Sequence, residues 1–236
     1  PKPLKLSCQW LHEERLGTVC EIQKNNYKIK FWEEEISAKC KGAFYQENCE
    51  LPVVGDYVTF LYNQNGDSII TSVCERSSML KRPDQSGHAI GYVKTMNEQV
   101  MVSNFDYVFI VASLNDNYNF NRIARYVSIT FQGNGIPVVI LTKADICTDI
   151  EKYVKEIRGL SNQVHVHTVS ALYGIGMDEL DIYLKPGKTI AILGSSGVGK
   201  STLVNAIIGF VLIFVLLIML NIGTNVLTDW WRGYDI

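Results

Sequence analysis

Neither sign of charge dominates this chain. Its 22 Lys and Arg against 24 Asp and Glu leave a net charge of −2 over 236 residues. Charge balance therefore gives no argument for nucleic-acid binding, which would need a local patch. Cysteine supplies no framework either: Cys8, Cys20, Cys40, Cys49, Cys74 and Cys147 are scattered, with no CxxC pair and no His at metal-ligand spacing. They read as reduced, mostly buried thiols in a cytosolic protein. No cationic and apolar leader opens the chain at Pro1. With 47% hydrophobic residues the chain is globular, and it is long enough for one large or two small domains.

The first third is rich in short strand signals. Gly17–Ile22, Tyr27–Phe31, Ile36–Cys40, Asp56–Leu61 and Ser68–Val73 are β-branched or aromatic and are separated by turn residues such as Asn25-Asn26 and Asn65-Gly66. About five strands within some seventy residues predict a small closed barrel, for which an OB-fold is the natural candidate. Such barrels often bind RNA through aromatic and basic residues, and Tyr27, Lys28, Lys30, Phe31 and Trp32 offer that face. A barrel wall whose aromatics are core explains each of them equally well. Basic and acidic residues also balance from Pro1 to Arg82.

The expected organisation is a barrel over 1–76, a linker over 77–97 carrying Pro83, Gly87 and Gly91, an α/β domain over 98–209, and an apolar tail over 210–236. In the α/β part, Tyr107–Ala112, Pro137–Leu141 and Thr189–Leu193 read as buried strands, and Val164–Val169 as another strand. Phe120–Gln132, Ile150–Leu160 and Gly176–Leu184 read as helices. Alternation of this kind implies parallel pairing, with ligands at the carboxyl ends of the strands.

The strand ends carry the chemistry. Gly194-Ser195-Ser196-Gly197-Val198-Gly199-Lys200-Ser201 fits GxxxxGKS between a strand and a helix that begins at Thr202. Its glycines let successive N–H groups converge on a phosphate at a helix N-terminus. Lys200 is the candidate for the outer phosphates and Ser201 for Mg²⁺. Upstream, Thr142-Lys143-Ala144-Asp145 has the form of an NKxD guanine-reading motif with Thr in place of Asn. Asp145 would accept from guanine N1–H and the exocyclic amine, and adenine lacks that donor pair, so the carboxylate would be left unpaired with the wrong base. Ser170-Ala171 follows the next strand, where an Ala N–H would meet guanine O6. The guanine-reading segments thus precede the phosphate loop, the reverse of an ordinary GTPase.

In that order the chain resembles the circularly permuted GTPases of small ribosomal subunit biogenesis, which carry an N-terminal OB-fold. The resemblance runs over roughly Gly17 to Gly209. It includes Leu51–Val58 in the barrel, the Glu75–Arg82 connector and Asn119–Tyr126 on the first helix. It implies GTP and GDP with Mg²⁺ as ligands, ribosome-stimulated GTP hydrolysis during late subunit maturation, and rRNA contact through the barrel. Arg76, Lys81 and Arg82 would be phosphate contacts, or else a solvated linker. It also implies a cytoplasmic monomer.

The family pattern continues past the phosphate loop into switch I, a switch II DxxG and a zinc-binding Cys/His domain, none of which is found in residues 202–236. No catalytic water-positioning residue and no zinc ligand can be assigned, and Asp84-Gln85-Ser86-Gly87 reads as a turn. Ala206–Leu220 is instead wholly apolar in side chain. A membrane anchor of marginal length, a buried helix and an out-of-frame tail are the three readings. Because Trp has a single codon, Trp230-Trp231-Arg232 read one nucleotide later gives Gly-Gly, and its neighbours permit a strand resembling the approach to switch II. That favours a frameshift at or after Gly209 and a fragment with poor turnover. A non-enzymatic RNA-binding module and a membrane-tethered nucleotide-binding protein are the alternatives.

Overall fold

A computed structural model describes residues 14–46, 50–83 and 98–219, the last ten of these by backbone alone. Strands β1 (Glu14–Gln23), β2 (Asn26–Phe31), β3 (Glu34–Cys40), β4 (Tyr57–Leu61) and β5 (Ser68–Val73) close into a barrel of order β1-β2-β3-β5-β4, with a one-turn helix α1 (Ala43–Gln46) after β3. All pairs are antiparallel except β3 with β5. Alternation decides which side chains turn inward. Tyr27 and Ile29 of β2 and Ile36, Ala38 and Cys40 of β3 fill the barrel with Val58, Phe60 and Ile70, while Lys28 and Lys30 face out. This is the OB-like barrel expected from the strand spacing.

The same alternation corrects the reading of the thiols. Among the described cysteines only Cys40 is buried; Cys20 is exposed and Cys74 and Cys147 are half-buried. Cys20 is exposed because it lies between the inward Val19 and the turn of its hairpin, on the outer face of β1.

Met79–Pro83, within the stretch read as a linker, form strand β6, which pairs antiparallel with β7 (Glu98–Ser103). Residues 84–97, with the Asp84–Gly87 segment, lie outside the described residues. The turn before β4 is fastened to the end of β7. Gly55 stands at φ +94°, where a Cβ would come within 2.1 Å of the Ser103 carbonyl oxygen. Beside it the fully buried Asp56 carboxylate accepts from Arg76 Nε and Nη2, each at 2.8 Å, from Ser103 Oγ at 2.5 Å and from the Val53 N–H at 2.8 Å. Asn104 completes the junction by donating to the Gly55 carbonyl at 3.0 Å and accepting from the Ser77 N–H at 2.9 Å.

The second unit is a four-stranded parallel sheet of order β10-β9-β8-β11, from β8 (Tyr107–Ser113), β9 (Ile136–Thr142), β10 (His165–Thr168) and β11 (Ile190–Leu193). Both faces of β8 and β9 are covered, which is why they read as unbroken apolar runs. Val108, Ile110 and Ala112 pack with Val139 and Leu141 under α2 (Phe120–Gln132) and α3 (Ile150–Arg158). Phe109, Val111, Val138 and Ile140 pack on the other face with Met177, Leu180, Tyr183, Val198 and Leu203. Each fully buried side chain of this kind is worth about 1.5–3 kcal/mol relative to exposure.

Residues 176–184 do not form the regular helix expected. A 3₁₀ turn occupies Asp178–Leu180, and bonds from Leu180, Asp181, Tyr183 and Leu184 run back three residues. With three residues per turn, Met177, Leu180 and Tyr183 fall on one line, and all three bury against the sheet. The helix after the phosphate loop, α4, runs from Lys200 to Met219. Residues 220–236 lie outside the described set, and among the described residues no helix is long and apolar enough to cross a membrane.

Candidate nucleotide site

The carboxyl ends of β8, β9 and β11 point the same way, so the loops that follow them meet at one edge of the sheet. β11 is set in register by Asp106, whose carboxylate accepts from the Thr189 N–H at 2.9 Å and pairs with Lys188 at 3.3 Å. From its end the chain turns through Gly194 (φ +157°), Gly197 (φ +78°) and Gly199 (φ +94°), the last two in the left-handed region. At Gly194 a Cβ would lie 2.5 Å from the Val111 carbonyl oxygen, so this close approach admits only glycine. Val198 is buried in the core and anchors the loop, while Ser196 and Gly197 stay exposed at its crest. Lys200 Nζ donates to the Gly194 and Ser195 carbonyls at 2.9 and 2.6 Å, which folds the ammonium back over the loop. Ser201 and Thr202 are exposed in the first turn of α4.

β9 runs directly into Thr142, and Thr142 Oγ1 donates to the Val198 carbonyl at 2.6 Å. This bond links the Thr-Lys-x-Asp turn to the phosphate loop from the position where the motif commonly has Asn. Lys143 adopts φ +61°, and a 3₁₀ turn over Ala144–Ile146 leaves Asp145 exposed. That turn is laced to the third segment: the Val169 N–H donates to Leu141 at 2.8 Å and the Ala144 N–H donates to Val169 at 3.2 Å. Reciprocal backbone bonds between Ser170 and Ile175 close the following loop. Ser170 Oγ is buried there without a hydrogen-bond partner, beside half-buried Ala171. An unsatisfied buried hydroxyl at this edge fits a site completed by a polar ligand.

The structure therefore brings Thr142, Lys143, Asp145, Ser170 and Ala171 to the same edge as residues 194–202. It does not bring the expected RNA contacts together. Arg76 is only 6% exposed in side chain, and its guanidinium is bound bidentately by Asp56 and also by Glu50. Its pKa is raised, first by the hydrogen bond to Asp56, so it stays a charged partner inside the junction and is not a phosphate contact. Lys81 and Arg82 are exposed on β6. In the barrel, Tyr27 is core, Lys28 pairs with Glu21, and Trp32 is 83% exposed at φ +56°. Sequence reasoning missed Asn117 and Arg122, which line a cleft with Ser195 and Val198. Asn117 lies between a buried strand and an amphipathic helix, and Arg122 lies in the first turn of that helix, within the Asn119–Tyr126 stretch, where no pattern marked either as a site residue.

The RsgA GTPase family pattern matches residues 73–215. The chain belongs to the RsgA GTPase family. It is 36% identical over 195 residues to small ribosomal subunit biogenesis GTPase RsgA 1 of Listeria monocytogenes, covering 82% of this chain and 53% of that protein. It is 39% identical over 196 residues to RsgA of Methanosarcina acetivorans, covering 83% and 49%. The chain thus spans about half the length of the curated relatives it matches. Among solved structures, YjeQ from Thermotoga maritima superposes with a TM-score of 0.63 at 28% identity, over 82% of this chain and 65% of that one. YloQ, described as a circularly permuted GTPase, superposes with a TM-score of 0.56 at 22% identity, over 84% and 66%, and supports the fold alone. The barrel followed by a parallel-sheet, phosphate-loop unit is the architecture of this RsgA relative.

Proposed function

We propose that this RsgA relative binds GTP and GDP with Mg²⁺ at the edge formed by residues 142–145, 170–171 and 194–202, and acts as a GTPase in maturation of the small ribosomal subunit. The Thr142 to Val198 bond carries the reading, because it couples the base-reading turn to the phosphate loop across the strand between them. In this account Asp145 reads the guanine edge, Ala171 N–H faces its O6, and the N–H groups of 194–199 surround the inner phosphates. Lys200 exchanges its two carbonyl partners for phosphate oxygens. The Ser201 hydroxyl, exposed beside Lys200, is the protein ligand for Mg²⁺, which would neutralise charge on the outer phosphates.

No DxxG follows the loop in residues 202–236, so the chain as it stands should bind nucleotide far better than it turns it over. The test is phosphate release from GTP by the full chain, alone and with purified small ribosomal subunits. Slow release that the subunits accelerate and that Lys200→Ala abolishes supports the proposal. Release unaffected by that substitution rejects it.

A second role, RNA contact through the barrel, is favoured by one observation. The Arg15 guanidinium lies 4.2 Å from the ring centroid of Tyr62 and 5.4 Å from that of Phe31, next to exposed Trp32, a surface on which bases can stack. Loss of single-stranded RNA binding in Trp32→Ala with nucleotide binding unchanged would support it, and unchanged RNA binding would reject it.

A further inference from the structure

Arg122 is placed where a cation is locally unfavourable. It is the third residue of α2, whose first turn contains no carboxylate, and its own N–H is taken up by the capping Asn119 at 2.9 Å. A positive side chain there opposes the positive end of the helix dipole. The residue is half-buried, and its guanidinium has no hydrogen-bond or ion-pair partner among the described residues. Arg122 lines a narrow cleft together with Ser195 and Val198 of the phosphate loop and Asn117 and Asn119 of the loop after β8, over an apolar floor that includes Val111 and Ile123. That loop closes on the phosphate loop: a Cβ on Gly197 would lie 4.0 Å from Asn117 Nδ2.

Three features agree on an anion: an unpaired guanidinium, a helix N-terminus and a wall shared with the phosphate loop. The loop's own N–H groups and Lys200 surround the inner phosphates. Arg122 approaches from outside the loop, on the side of Ser195, where the outermost phosphoryl group would protrude. We propose that Arg122 contacts the terminal phosphate of the bound triphosphate, with Asn117 as a second donor, and so sets the preference for GTP over GDP. This rests on the guanine-nucleotide reading above. The residue acts by binding charge, and no proton transfer is assigned to it.

The test titrates the full chain, with Mg²⁺, against GDP and against the non-hydrolysable analogue GMPPNP. Arg122→Gln keeps the length and polarity of the side chain and removes the charge. It should weaken GMPPNP binding roughly tenfold, as expected for one charge-assisted hydrogen bond, and change GDP binding less than about twofold. Arg122→Lys should recover part of the loss, and Asn117→Ala should shift the GMPPNP to GDP ratio in the same direction by less. Equal losses for both nucleotides, or none, would overturn the role of Arg122 while leaving the site intact. Failure of the unaltered chain to bind GDP, or GDP binding indifferent to Lys200→Ala, would reject the nucleotide site and this inference with it.

Discussion

Thr142 Oγ1 lies 2.6 Å from the Val198 carbonyl oxygen, a single hydroxyl bond between two loops 56 residues apart in the chain. Both groups are buried, so a valine at 142 would leave the carbonyl without its donor. Thr142→Val should lower stability by about 1–3 kcal/mol and weaken GDP binding several-fold, whereas Thr142→Ser, which keeps the donor, should stay near the parent. Thermal unfolding and GDP titration on the same preparations separate the two effects.

Lys200 has a different signature. Its ammonium is half-buried and bonded to two loop carbonyls, so its removal costs little folding energy and much ligand affinity. Lys200→Ala should reduce GDP affinity by roughly a hundredfold, the scale of a charged hydrogen-bond contact, with the unfolding temperature within a few degrees of the parent.

Asp145 gives a prediction of altered specificity. As a carboxylate it can only accept, which suits the two donors of guanine. Asp145→Asn offers a donor to the 2-oxo group of xanthine, so GDP affinity should fall and XDP affinity rise. Competition of GDP and XDP for a fluorescent nucleotide measures the exchange, and loss of both would point to a purely structural role.

The junction between barrel and sheet is the most exacting part of the fold. Arg76→Met would strand the fully buried Asp56 carboxylate and should destabilise the protein by about 3–5 kcal/mol. Gly55→Ala should cost a further class of strain, about 1–3 kcal/mol from the left-handed φ alone, with the 2.1 Å approach to the Ser103 oxygen added to it. Urea unfolding followed at separate probes in the barrel and the sheet would show whether the two units then unfold apart.

Much of this was legible in the residues. The inward and outward alternation of β2 and β3 and the continuous apolar runs of β8 and β9 marked those strands, and Asn119 and Gly133 bounded α2 where the sequence placed it. The loops of the proposed nucleotide site were legible as strand ends, most plainly after the continuous apolar run of β9 and least so after the half-buried β10. The β6–β7 hairpin was not, since Lys81 and Arg82 interrupt its alternation and its register is broken by a bulge. Arg76 was misread for the same reason: a basic residue in a connector looks solvated until Asp56, twenty positions earlier, is seen to face it. Local pattern reports periodicity, whereas a buried ion pair between distant segments leaves no periodic trace. The 3₁₀ geometry around Leu180 is likewise a tertiary choice, set by Met177 and Tyr183 packing on the sheet.

The three loops are proposed to assemble one guanine-nucleotide site even though they occur in reversed order along the chain. Isothermal titration of the full chain with GDP and with ADP, each in the presence of Mg²⁺, tests it most directly. Stoichiometric GDP binding, at least tenfold weaker ADP binding and loss of the GDP signal in Lys200→Ala are expected. Equal affinity for the two nucleotides, or a GDP signal that survives that substitution, would contradict that assembly.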